Sequence, residues 1–554
     1  MPSLTSKPER HVAIDRRPGH YLCFPDVCLT AQGHILCAYN EFDRHVGTRR
    51  RLLLRKSADG GKTWGPARIL NATESHCPRL SRMPGGEGEG GVLALVDDAG
   101  PILYLSADEG ATWASQTGGG LGHGLQDRIL ELSPEVWFTT GHGHRGSQPQ
   151  PKIRQAPTEQ MGYLSANRGR TWQAYSPIAY EKCLVLCEAS VIRLPALPDA
   201  PPGAPPRLLA LMRENSFVGE PMYFCISQDG GATWGAPRPT PLIGHRPTLG
   251  WTRSGKLLVT YRDVGPDPGT KAWLGTLQEL TELDFQVHGL HPRMHTGKGN
   301  PRSTKDGLLV ESPGGLDGAV RYALRPITDP EFATASLEAE VLVRQSQLSG
   351  CGLHLGQWWK LYPDCIVPDC DVDAQGRAAL PVALEPGRFH TIRVDYEPGL
   401  LRLFVDGQHK GDYPADRMSG DTRPILAGTV ARKQDNACEV LWRKLSLTTH
   451  EPRMGRDYAW TWKHSGGRGG AADAWPDAWV NSRVLELQND RQASPADFGY
   501  SGWVELPADG KGKRKQPGRF FCAYHHGGGD QPDYRPGESA HVAGTWFDES
   551  DFPA

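Results

Sequence analysis

Ser57-Ala-Asp59-Gly-Gly-Lys-Thr63-Trp64 is the first of four copies of one pattern, S-x-[D/N]-x-G-x-T-W. The others are Ser106-Ala-Asp108-Glu-Gly-Ala-Thr112-Trp113, Ser165-Ala-Asn167-Arg-Gly-Arg-Thr171-Trp172 and Ser227-Gln-Asp229-Gly-Gly-Ala-Thr233-Trp234. Their starts are 49, 59 and 62 residues apart. Asp and Gly make a tight reversal, with Gly supplying positive φ. The Ser, Thr and Asp side chains can satisfy backbone groups of the turn. The Trp is a large apolar anchor over the hairpin. An apolar strand precedes each copy: RLLLRKS, PILYLS, MGYLS and MYFCIS.

Outward from these turns, a second pattern opens each unit: a short strand, a turn and an apolar strand. It reads VCLTAQGHILCAY, LSRMPGGEGEGGVLALV, SVIRLPALPDAPPGAPPRLLALM, LGWTRSGKLLVTY and WVELPADGKGKRKQPGRFFCAY, with a weaker version from Ile129 to Thr139. Six units of about four strands each predict an all-β, six-bladed β-propeller. The last blade should be completed by HVAGTWF, His541–Phe547.

The pattern breaks after Phe285 and resumes at Gly499–His526. Between them Leu337–Arg344, His354–Lys360, Phe389–Tyr396 and Leu401–Val405 read as strands, and LRLFVDGQHKGDY is a hairpin turning at Asp406-Gly407. The expected organisation is blades one to five in 1–289, an inserted β-sandwich in 290–450, and the propeller return with blade six in 451–554. Trp358 and Trp359 could stack on sugar or fill the sandwich core.

Lys and Arg total 61 against 63 Asp and Glu in 554 residues, a net charge of −2. Such a balance offers no field for nucleic acid or an anionic membrane. No run of about 18 apolar residues exists, and the first residues lack the apolar stretch of a secretory signal. The 12 Cys show no CxxC pairs. They read as free thiols in a reducing compartment, so a cytoplasmic location is expected, or a secreted one if a leader was removed. His142-Gly-His144 lacks a third ligand at standard spacing, so no metal or cofactor is expected.

The eight-residue pattern resembles the Asp-box, or BNR, repeat of the sialidase (neuraminidase) superfamily, over roughly residues 10–285 and 455–547. The interruption is similar to concanavalin-like and laminin-G-like sandwiches. The resemblance implies an exo-acting glycoside hydrolase that works with retention on a terminal acidic sugar. Its partner would be a glycan or oligosaccharide, with no nucleic acid or membrane involved. Tyr500, in the G-Y-S setting of DFGYSGWVEL, is implied as nucleophile, and Glu188, in LCEASVIRLP, as the base that activates it. A neutral hydroxyl can approach an anionic sugar without charge repulsion. Arg213 in LLALMREN, Arg262 in LLVTYRD and Arg246 in GHRPTLG are implied as a carboxylate clamp, because guanidinium forks pair with carboxylates.

Where the family pattern has Tyr-Arg-Ile-Pro, this chain has Tyr21-Leu-Cys23-Phe24-Pro25, so Cys23 stands at an expected Arg. Arg79 in SHCPRLSRMP is the candidate compensating cation, and Asp43 in NEFDRHVG the candidate acid. His45, His123, Asp127, Arg128, His142, His144, His525, His526 and His541 form a further polar set without assigned roles. Two other functions fit the same scaffold. One is another carbohydrate-active enzyme, a uronate or deoxy-sugar hydrolase or a polysaccharide lyase. The other is a glycan-binding protein without catalysis.

Overall fold

The computed structural model describes all residues except 46, 84–90, 145–156, 217–219, 266, 282–294, 297–298, 300, 316–317, 416–424, 432–433, 465–482, 495–496, 508–517 and 554. Each eight-residue repeat closes a turn after the third strand of a sheet. Ser57 Oγ donates to Asp59 Oδ1 at 2.8 Å and accepts from Gly61 N at 2.8 Å. Thr63 N and Oγ1 donate to the same carboxylate at 2.9 and 2.6 Å. The copies at Asp108 and Asp229 repeat these bonds, and Asn167 substitutes its amide in the third. Gly61 (φ +93°) and Gly110 (φ +82°) need the left-handed region. A Cβ at Gly61 would meet Phe521 at 2.8 Å, and one at Gly110 would meet Leu36 at 2.7 Å, so each turn lies tightly on a neighbouring sheet.

Among the described residues, six sheets have four antiparallel strands each. Sheet I holds Tyr21–Leu29, Ile35–Phe42, Arg50–Ser57 and Arg68–Asn71. Sheet II holds Arg79–Met83, Val92–Asp97, Ile102–Ser106 and Ala114–Thr117. Sheet III runs Leu130–Ser133, Val136–His144, Thr158–Ser165 and Gln173–Tyr180. Sheet IV runs Leu186–Arg193, Leu208–Glu214, Tyr223–Ser227 and Arg238–Pro239. Sheet V begins His245–Trp251, Leu257–Asp263, Gly269–Gly275 and takes its fourth strand, Val484–Asn489, from far along the chain. Sheet VI is Ser501–Glu505, Arg519–His526 and His541–Asp548, with His11–Asp15 from the start of the chain on its outer edge.

Apolar clusters join the sheets pairwise. Leu36 and Leu54 of sheet I pack with Leu93 and Leu95 of sheet II. Leu103 of sheet II packs with Trp137 of sheet III, and Phe138 of sheet III with Leu208 of sheet IV. Leu211 of sheet IV meets Trp273 of sheet V, and Leu258 of sheet V meets Phe520 of sheet VI. Phe521 and Trp546 of sheet VI then meet Ile35 and Tyr39 of sheet I, which closes the series.

Two larger sheets, of seven and eight strands, lie between the third and fourth strands of sheet V in the chain. They share one core, with Leu353, Trp359 and Ile366 from one sheet and Leu337, Val394 and Leu403 from the other. Placing the interruption after a completed blade five therefore differs from the observed pairing, because Val484–Asn489 returns to complete sheet V. The expected boundary at 289/290 lies outside the described residues. The one at 450 falls inside the strand Cys438–Glu451, whose partner Arg456–Lys463 lies beyond it. Tyr458, Trp460 and Trp462 alternate along that strand and pack on the core of the larger sheets, which carries them past residue 450. Trp359 is fully buried in the core, so its ring is not available for stacking. Trp358 is half-buried, with the Arg321 guanidinium 5.2 Å from its ring centre.

The larger sheets touch the four-stranded ones through Arg325. Its guanidinium reaches Glu220 at 2.7 Å and Glu214 at 3.9 Å, and the side chain is only 4% exposed. All twelve cysteines are free. Among the described residues no helix is long and apolar enough to cross a membrane.

Candidate active site

One backbone feature recurs at the start of all six sheets. Phe24, Cys77, Leu125, Glu188, Arg246 and Gly499 each have φ between 45° and 83°. Five of the six are not glycine, so the conformation is held by its surroundings. In sheets I, IV and V the pairing register shifts at this point, between Cys23 and Asp26, Cys187 and Ser190, and His245 and Thr248. Such bulges re-aim side chains. Here they turn Phe24, Glu188 and Arg246 out of strand alternation.

Two residues further on stand Asp26, Arg79, Asp127, Ser190, Thr248 and Ser501. These groups link neighbouring sheets. Asp26 accepts from Leu80 N at 2.8 Å, Asp127 from Val191 N at 2.9 Å and Ser190 from Leu249 N at 3.1 Å. Thr248 Oγ1 donates to Ser501 O at 2.6 Å.

Against this ring stands a tight polar cluster. Tyr500 OH donates to Glu188 Oε1 at 2.5 Å. Arg213 Nη1 donates to Glu188 Oε2 at 2.6 Å and to Tyr500 OH at 2.8 Å. Arg246 Nη1 lies 3.9 Å from Glu188 Oε1. The Arg246 and Arg262 guanidiniums sit 5.5 and 4.7 Å from the Tyr500 ring centre, within cation–π range. Arg262 also contacts His245 Nδ1 at 3.0 Å. Arg213 and Arg262 occupy equivalent second strands of sheets IV and V, paired with Cys187 and His245. Five of the seven expected residues thus meet around one hydroxyl.

Two guanidiniums, Arg213 and Arg246, lie within 4.0 Å of the Glu188 carboxylate, and a third, Arg262, lies against the Tyr500 ring. Burial acts to raise Glu188. The cations of Arg213 and Arg246 and the bond from Tyr500 outweigh it and hold the carboxyl well below its usual range. Burial, then the Glu188 charge, pushes the Tyr500 hydroxyl well above its usual range. The resting proton therefore lies on Tyr500.

Arg79 lines a small pocket beside the cluster, with Phe24, Pro25, Cys77, Pro78, Arg246, Tyr500 and Ser501. The Arg79 guanidinium is engaged elsewhere, with Asp127 at 3.2 Å and Asp26 at 3.5 Å. Arg128 pairs with Asp26 as well, at 2.5 and 3.0 Å. Arg79 is thus tied into the inter-sheet ring rather than presented as a spare cation. Asp43 sits in the loop after Ile35–Phe42, accepts from Arg49 N at 3.1 Å, and is not among the residues lining the pocket. Cys23 is fully buried beside Tyr21, Phe42 and Tyr500, and burial pushes its thiol well up, so no charge replaces the expected Arg there.

Several neighbours carried no decisive sequence signal. The Phe24 ring lies 5.2 Å from that of Tyr500, 5.5 Å from His76 and 5.6 Å from His525. His142 Nδ1 accepts from Glu188 N at 3.4 Å, and burial lowers its pKa to about 4, so the neutral ring buttresses the Glu188 backbone. The recurrence of a residue with positive φ three to six places before each inner strand's apolar run is visible only once all six sheets are aligned.

No family model matches this chain, and no curated protein matches it in sequence. Among solved structures it is similar to a Dyadobacter fermentans protein of unknown function, at 18% identity and TM-score 0.41, covering 57% of this chain and 93% of that one. A Trypanosoma rangeli sialidase in complex with 2,3-difluorosialic acid matches at 13% identity and TM-score 0.30, covering 77% and 81%. A Penicillium chrysogenum α-L-arabinanase complexed with arabinobiose matches at 15% identity and TM-score 0.34, covering 48% and 82%. Likenesses of this depth set neither reaction nor substrate, which are read from the residues themselves.

Proposed function

We propose that the chain is a six-bladed β-propeller glycosidase of the sialidase type, carrying an inserted lectin-like sandwich, that removes a terminal acidic sugar with retention. The observation carrying this reading is the 2.5 Å bond from Tyr500 to Glu188 amid three guanidiniums. A Tyr hydroxyl is a nucleophile only when a base takes its proton. Bond length and partner supply that base. The pairwise sharing of apolar clusters around six sheets supports the propeller.

The electrostatics give the substrate a second role. Glu188 at rest is a poor base because Arg213 and Arg246 hold it ionised. A substrate carboxylate that engages those guanidiniums draws their charge away from Glu188. The base strengthens as the anion binds, and Tyr500 OH can pass its proton to Glu188 while its oxygen attacks the anomeric carbon. The glycosyl–Tyr bond forms as the bond to the leaving oxygen breaks, and that oxygen takes a proton from solvent water. Water then attacks the same carbon and gives up a proton to solvent, the bond to Tyr500 breaks, and Glu188 returns its proton to the Tyr500 oxygen, so configuration is retained over two displacements. A neutral sugar would bind without this activation.

The test is a panel of aryl glycosides of 2-keto sugar acids, uronic acids and neutral sugars, with product stereochemistry followed by NMR. Retention on an acidic member supports the reading. Turnover restricted to neutral sugars, or an unsaturated elimination product, would overturn it.

A further inference from the structure

A second constellation borders the same pocket. His76 Nδ1 pairs with Asp98 Oδ2 at 2.8 Å, and its Nε2 lies 3.7 Å from Cys77 Sγ. Asp98 is fixed in turn by the backbone N–H of Leu125. The imidazole is clamped between Phe42, stacked at 6.4 Å, and Phe24, edge-on at 5.5 Å. Cys77 itself lines the pocket with Arg246. The Arg246 side chain is 5% exposed, and its Nη1 makes no hydrogen bond among the described residues. A thiol, an oriented imidazole, a carboxylate behind it and a cation with an open donor are therefore gathered at one wall. This is the order of groups that activates a sulfur nucleophile.

We propose that Cys77 is a reactive thiol, oriented by His76 and Asp98, that is oxidised by small hydroperoxides reaching it through the pocket. The proton of the thiol passes to His76 Nε2. Sulfur attacks the terminal peroxide oxygen, the S–O bond forms and the O–O bond breaks. The departing oxygen takes the proton back from His76. Cys77 ends as a sulfenic acid, and the hydroperoxide is reduced to an alcohol, or to water from hydrogen peroxide. Arg246, which lines the pocket with Cys77, is the donor for the oxidised sulfur's oxygen.

Charged and titratable groups face the imidazole from several elements. Cys77 and Asp98 lie on either side of it, Asp97 accepts from its backbone N–H at 2.8 Å, and Arg246 lines the pocket with Cys77. The neighbouring thiol charge, acting with Asp98 against burial, raises the His76 pKa to about 10. By contrast, burial pushes Cys28 and Cys522 up to about 12. This reading does not depend on the glycosidase assignment.

The folded chain is exposed to hydrogen peroxide with dimedone present, and labelled peptides are quantified by mass spectrometry. Cys77 should label at least about tenfold faster than Cys28 and Cys522, as thiolate character and access dictate. His76→Gln should slow Cys77 about tenfold with the unfolding midpoint unchanged, and Asp98→Asn should slow it less, because both act through the same imidazole. If His76→Gln does not fold, the pH dependence of labelling in the wild type and Asp98→Asn decides. Cys77 labelling no faster than Cys522, labelling undiminished in the folded His76→Gln, or identical pH profiles in wild type and Asp98→Asn would each overturn the proposal.

Discussion

Replacing Tyr500 by Phe removes one oxygen and leaves the rest of the cluster in place. The lost hydroxyl donates to Glu188 at 2.5 Å and accepts from Arg213 at 2.8 Å. Glu188 keeps its direct 2.6 Å bond to Arg213, so neither charge is left without a partner. The stability cost should therefore be that of an ordinary hydrogen bond, about 1–2 kcal/mol. Catalysis should suffer far more, because the oxygen proposed as nucleophile is gone: at least about 10²-fold in kcat, or about 2.7 kcal/mol. Glu188→Gln is a harsher change. It takes the counter-charge from two buried guanidiniums, and breaking a buried pair this way costs about 3–5 kcal/mol. Its thermal midpoint should fall visibly while that of Tyr500→Phe stays nearly constant. The double variant should be no slower than the worse single one, since the two residues act as one unit. The assay is steady-state turnover on the aryl glycoside the wild type cleaves, with calorimetry on the same samples. Full activity in Tyr500→Phe would refute the Tyr nucleophile, and additive losses would refute the coupled pair.

Acid should destabilise the fold earlier than its carboxylates require. Burial holds His525, His526 and His541 below the ordinary 6.5, with His526 at about 4. Below pH 6.5 His525 and His541 take up protons in the unfolded chain that burial keeps off them in the folded one, so the stability they contribute is fully present above that value and falls as pH drops below it. Each such histidine contributes a slope of about 1.4 kcal/mol per pH unit. Urea titrations between about pH 7 and pH 5 should show the decline, His541→Phe should reduce it, and a flat profile would refute the account. Arg325→Met should leave Glu214 and Glu220 without their buried cation and cost about 3 kcal/mol, or split the calorimetric transition in two as the larger sheets undock; an unchanged single transition would count against it. Ser57→Ala orphans the buried Gly61 N–H and should cost about 1–3 kcal/mol by denaturant titration, whereas the same change at an exposed serine outside the repeat should be near neutral.

Much of the site was legible because its signals are local. Tyr500, Glu188, Arg213, Arg246 and Arg262 each sit beside a recognisable strand or turn, although only the sheet that carries Glu188 and Arg213 also carries one of the four repeats. Arg79 and Asp43 were legible only as residue types near the right strand. Whether a guanidinium faces a pocket or an internal carboxylate depends on Asp26 and Asp127, which belong to other sheets. Asp43 is held by a backbone N–H six residues away, a bond that any Asp could make or forgo.

The sequence by itself determined the alternation of strand and turn, and it did so through short-range chemistry. A Ser–Asp–Gly–Thr turn satisfies its own backbone within eight residues, and an apolar strand announces its buried face by composition. Tertiary structure alone decided which distant strands complete a sheet. His11–Asp15 closes sheet VI and Val484–Asn489 closes sheet V, because edge strands go wherever an unpaired ladder of N–H and C=O groups remains. It alone decided the positive-φ ring whose members Phe24, Cys77 and Arg246 line one pocket. Those conformations are unfavourable for L-residues in isolation, so no local preference encodes them, and they persist because six packed sheets hold them.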